Sequence, residues 1–158
     1  MTNSASTTRT QNSKTIKATP EAVYNAFTDP AALIVWLPPA QMTGEIDGFD
    51  ARVGGGYRMS LFYPSSERVF RGKTSERQDS FTSRFVELDP PRKIVQAINF
   101  ISPDPAFAGE MIMVATFEPR DGKTKVTLVC EHIPPGIRPE DNEAGGQSSL
   151  DKLALYLE

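Results

Sequence analysis

The side chains with the most reactive chemistry lie close together near the end of one alternating segment. His132 is the only histidine and the only side chain whose ordinary pKa falls close to neutrality. Facing inward, it would orient a ligand carbonyl or act as a base. With no partner carboxylate in sight on its own face, the simpler reading is a hydrogen-bonded histidine at the mouth of a sheet. Cys130 is the only cysteine. It sits two residues from His132 on one strand, about 6–7 Å along the chain, so a buried small hydrophobe is favoured over an activated thiol. Tyr57 and Tyr63 carry two readings, as hydroxyls offered to a ligand in an apolar pocket or as half-exposed strand aromatics. Met111 and Met113 read as adaptable cavity lining or plain core. Trp36 reads first as core, and otherwise as a cavity wall or a partner's anchor. Gly54-Gly55-Gly56 is no phosphate loop, because no Lys-Ser/Thr follows and a strand comes next.

Composition narrows the classes. The chain has 158 residues and a formal net charge of −3, and no basic stripe falls on any predicted element. Nucleic acid and anionic membrane surfaces are therefore disfavoured as partners. One cysteine with one histidine makes neither an internal disulfide nor a zinc site, so no metal or cofactor is expected and the reducing cytoplasm fits best. No run of roughly eighteen apolar residues is present. Residues 1–13 read as a disordered tail, and 14–158 as a single domain.

The elements that would position these groups follow from local pattern. Thr15 to Ala18 reads as the end of a first strand. Thr19 caps a short helix with Pro20 at its first position, and Asp29-Pro30 ends it and begins another, Ala31 to Trp36. Alternation then predicts strands at Met42 to Asp47, Tyr57 to Tyr63, Phe81 to Leu88, Lys93 to Ile101, Glu110 to Glu118 and Lys123 to Ile133. Asp121-Gly122 marks a tight hairpin between the last two. Residues 64–80 read as a solvated, charge-mixed edge with a strand-like island at Val69-Phe70. In the last strand Val126, Leu128, Cys130 and His132 share the inward face. Leu150, Leu153, Ala154 and Leu157 make one stripe of a C-terminal helix, whose start is open between Arg138 and Ser148. Strands in succession with helices at the ends argue an α+β fold: a curved antiparallel sheet of six to seven strands around a long C-terminal helix, with two short helices between the first strands.

The residues also resemble a known family. The run from Thr19-Pro20-Glu21-Ala22 to Thr28-Asp29-Pro30, then Trp36, Val53-Gly54-Gly55-Gly56-Tyr57, Phe85-Val86-Glu87-Leu88-Asp89-Pro90-Pro91-Arg92, Val114 to Glu118, and Ser148 to Leu157 follow the order of the SRPBCC superfamily. Its fold is the START-like helix grip. The branch most similar is that of activator of heat-shock-protein-90 ATPase homologues. The resemblance implies members that bind small ligands, act as aromatases or cyclases, or serve as co-chaperone relatives. Two departures stand out: Gly146 where the family usually has a bulky aromatic, and the long charged stretch 64–80.

The expected function is binding of a small hydrophobic or amphipathic molecule in an internal cavity. The expected lining is Phe27, Trp36, Tyr57, Met59, Leu61, Phe85, Met113, Cys130, His132 and Gly146. A protein-interaction module, with a protein partner at Trp36-Leu37-Pro38 or near Phe107, is the alternative. A cyclase-type enzyme comes third, since the inward strand faces show almost no paired titratable groups.

Overall fold

The computed structural model describes residues 8–63 and 78–158. Among these residues seven strands form one antiparallel sheet: β1 (Arg9–Ile16), β2 (Thr43–Asp47), β3 (Gly56–Phe62), β4 (Gln78–Asp89), β5 (Lys93–Ile101), β6 (Glu110–Arg120) and β7 (Lys123–Glu131). Their spatial order is β1-β7-β6-β5-β4-β3-β2. The sheet curls into a half-barrel, and α3 (Pro139–Leu157) runs alongside β1, to which it is closely packed. Helices α1 (Pro20–Phe27) and α2 (Pro30–Trp36) lie between the first two strands. The α+β helix-grip architecture expected from the sequence is the observed one.

Local chemistry accounts for the boundaries. The Thr19 side chain accepts from the Ala22 amide at 3.1 Å and Asp29 accepts from the Ala31 amide at 3.0 Å, each satisfying a donor that the first helical turn leaves unpaired. Asp121 and Gly122 both take positive φ, 50° and 79°, the two-residue turn whose twist matches its flanking strands. Gly56 allows β3 and β4 to meet, because a Cβ there would collide with the Ser83 carbonyl oxygen.

One boundary differs from expectation, and one left open by the sequence is settled. β1 begins at Arg9, not near residue 14, and pairs with β7 from Arg9↔Glu131 to Ile16↔Thr124. Residues 9–13 were read as tail because they are polar. Yet Thr10 is 4% exposed, since this strand's inner face meets the polar, glycine-bearing start of α3 rather than an apolar core. Helix α3 runs from Pro139 through Gly145 and Gly146 without a break, so the glycine pair does not shorten it. The reading of 64–80 falls largely outside the described residues; 78–80 open β4.

Candidate functional site

The inward faces meet two different neighbours. At one end of the sheet the side chains are aromatic and interlock. Phe27 lies 4.6 Å from Trp36 and 5.0 Å from Phe117, centroid to centroid. The Trp36 Nε1 donates to the Ala26 carbonyl at 2.9 Å. Tyr57 stacks on Phe49 at 5.4 Å and packs against Phe85 at 6.0 Å. Its hydroxyl and that of Ser83 both donate to Gln96 Oε1, at 3.1 and 2.6 Å, and burial pushes the Tyr57 phenol far above its ordinary pKa. This half is filled by side chains.

At the other end a pocket of about 220 Å³ opens between α3 and the concave sheet. The strands supply apolar groups, among them Leu61, Phe100, Met111, Met113 and Leu128, together with the Cys130 thiol. Helix α3 supplies Asp141, Asn142, Gly145, Gly146 and Ser149, one face at helical spacing. The loop after α2 forms the rim with Leu37, Pro39 and Met42. Hydrogen bonds from α3 hold this loop: Ser149 Oγ to Leu37 O at 2.6 Å, Lys152 Nζ to Pro38 O at 2.5 Å, and Ala40 N to Ser148 Oγ at 2.7 Å. Burial lowers the Lys152 pKa.

The polar groups are concentrated under α3. Thr10 Oγ1 donates to Asn142 Oδ1 at 2.5 Å, and Asn12 Nδ2 donates to the Glu143 carbonyl at 3.0 Å. Burial pushes the Cys130 thiol up to about 11, partly offset by its hydrogen bonds with Thr10 and Asn142. The thiol therefore stays protonated at neutral pH and is a poor nucleophile. Near the β3–β4 end, Tyr63 donates to Asp79 at 2.8 Å; burial first, then the carboxylate, raises that phenol's pKa. Among the described residues no group of three His, Cys, Asp or Glu is placed to hold a metal.

Of the ten residues expected to line a cavity, Leu61, Met113, Cys130 and Gly146 do so. Phe27, Trp36, Tyr57, Met59 and Phe85 are inward but locked in solid core. His132 is a correction. The strand ends at Glu131, His132 takes φ 59°, and the chain turns so that His132 is exposed and Ile133 is buried in its place. Gly146 also differs in role. A Cβ there would lie 2.6 Å from Asn12 Oδ1, whereas beside Gly145 there is open space. The missing bulk on the wall is thus at Gly145. Sequence reasoning missed Asn12, Asn142 and Asp79, which fell in stretches read as tail, open helix start and solvated edge. Extending the stripe back from Leu150 by four and eight residues reaches Gly146 and Asn142, a signal that was present.

With this geometry established, comparison with known proteins is decisive for the family. The family model described as Activator of Hsp90 ATPase homolog 1-like protein matches residues 17–158. The chain belongs to this family. A crystal structure of a protein from Chromobacterium violaceum is similar at 34% identity and TM-score 0.83, over 95% of this chain and 96% of that one. A Rhodobacter sphaeroides protein shares the fold at 21% identity and TM-score 0.74, over 95% and 91%. An Arthrobacter aurescens protein does so at 14% and 0.76, over 99% and 89%. No curated protein matches the chain. Among the described residues no helix is long and apolar enough to cross a membrane.

Proposed function

We propose that this family member binds a small, largely apolar molecule in the pocket under α3. The observation that carries the reading is an opening of about 220 Å³ walled largely by methionine, leucine and phenylalanine side chains, with Asn12, Asn142 and Ser149 on the α3 side and Asp79 of β4 across from them. Pockets that fix small ligands combine such walls with a few placed polar groups. A cavity of about 150 Å³ holds benzene, so the occupant is the size of one or two fused rings. The methionines suit irregular shapes. The buried, protonated Cys130 is compatible with the reducing cytoplasm proposed from composition.

The test is a thermal-shift and calorimetric screen of ring-sized lipophiles against wild type and Gly145→Leu. Saturation at a hundred times Kd stabilises the folded state by about 2.7 kcal/mol, a shift of several degrees for this size. The leucine side chain enters the open space beside residue 145, so the shift should disappear while the fold persists. A shift unchanged in Gly145→Leu would move binding elsewhere.

One observation favours a second reading as an interaction module, though not where the sequence suggested. Trp36 is 1% exposed and cannot anchor a partner, but Leu155 is 82% exposed beside Val35 and Tyr156. Leu155→Glu with a pull-down tests that surface; retention of every captured partner would remove it.

A further inference from the structure

We propose that Asn142 orients the ligand by donating its side-chain N–H to a neutral oxygen, so that the pocket selects ring-sized molecules bearing a carbonyl or hydroxyl. This rests on the binding reading above and assigns the polar contact within it.

The argument starts from what each carboxamide atom already does. Asn142 Oδ1 is occupied by the Thr10 hydroxyl at 2.5 Å, which orients the amide so that its NH2 faces the pocket wall. There it meets only sulfur: Met111 Sδ at 4.0 Å and the Cys130 thiol. Sulfur is a weak acceptor, so among the described residues this double donor, set in a largely apolar pocket wall, has no oxygen partner. Asn142 is half-buried, and a ligand oxygen would be a stronger acceptor for its N–H than either sulfur.

Asn12 complements it. Its Nδ2 is engaged by the Glu143 carbonyl at 3.0 Å and Gln147 Oε1 at 3.4 Å, which leaves Oδ1 turned toward Gly146 on the pocket wall. A ligand hydroxyl can accept from Asn142 and donate to Asn12, whereas a ketone uses Asn142 alone. An anionic head group would meet the Asp141 and Asp79 carboxylates, and no Lys, Arg or His among the described residues lines the pocket to offset them. Glycine at 146 makes the arrangement possible, because a side chain there would displace Asn12.

The experiment is calorimetry on the full chain with three probes: 1-tetralone, tetralin (the same rings without oxygen) and 1-naphthoate. The net worth of a hydrogen bond, about 1 kcal/mol, corresponds to about fivefold in Kd. Wild type should prefer 1-tetralone to tetralin by about that factor and bind 1-naphthoate least. Asn142→Leu should erase the preference and keep tetralin binding. In wild type the infrared C=O stretch of ¹³C-carbonyl 1-tetralone should move to lower frequency on binding, and not in Asn142→Leu. If that variant does not fold, the near-isosteric Asn142→Asp, which replaces the donor with a carboxylate oxygen, serves in its place. Equal wild-type affinity for 1-tetralone and tetralin, or a preference that survives substitution, overturns the role of Asn142 and leaves the pocket as a binding site. Tighter binding of 1-naphthoate overturns the selection for neutral ligands. Failure of all three to bind the folded protein overturns the binding reading for ring-sized molecules, and this inference with it.

Discussion

The two ends of the concave sheet follow the same alternation and reach opposite results. Around Trp36 and Tyr57 the inward residues are aromatic, and each ring finds another within about 6 Å. Under α3 the inward residues of β6 and β7 are methionine, leucine and cysteine, and the facing helix presents Asn142, Gly145 and Gly146. Rings from two layers fill the gap in one place; small and polar groups leave it open in the other. Facing inward is a property of one strand, whereas being filled is a property of two facing surfaces.

The contrast breaks most visibly at its solid end. Trp36→Ala removes a side chain 1% exposed and hydrogen-bonded, and should cost about 3–5 kcal/mol in urea unfolding. A loss under 1 kcal/mol would mean that this corner is not close-packed.

Next in size is a pH effect at the open end. Burial pushes the Cys130 thiol up to about 11 in the folded protein, above the ordinary thiol value of about 9. Below pH 9 it is protonated in both states. Between 9 and 11 only the unfolded chain ionises, so stability falls there by about 1.4 kcal/mol per pH unit from this group. Wild type should lose stability relative to Cys130→Ala as pH rises through that window. Parallel curves would show that the thiol is not desolvated.

A smaller effect separates the two glycines. Gly145→Ala adds a methyl in open space and should stabilise α3 by up to about 1 kcal/mol. Gly146→Ala forces Asn12 to move and should gain less or destabilise. Equal melting shifts would remove the distinction. The smallest effect lies outside both regions: Lys14 is 3.2 Å from Asp151 with both side chains partly exposed, and Lys14→Ala should change stability by less than about 1 kcal/mol, weakening further with salt.

Much of the fold was readable because it rests on short-range rules. Thr19, Asp29 and Asp121-Gly122 act within a few residues of themselves, and the alternation of β3 to β7 needs only the period of a strand. The first part of β1 escaped because its inner residues, Thr10, Asn12 and Lys14, are polar, and their suitability for burial depends on a helix more than a hundred residues away. His132 was misplaced for a related reason. Alternation carried it inward, but the strand had already ended at Glu131 and the backbone turned.

Sequence alone determined the order of the elements, their caps and turns and the α+β class, because propensity, capping and periodicity are local, and its ordered motifs carried the resemblance to the family. It also named ten lining residues, four of which reach the pocket. Only the tertiary structure decided that Phe27, Trp36, Tyr57, Met59 and Phe85 close their end of the sheet, that Gly145 rather than Gly146 borders open space, and that Thr10 and Asn142, 132 positions apart, meet. Whether an inward side chain touches another or leaves room depends on the element laid across from it, and no local pattern carries that pairing.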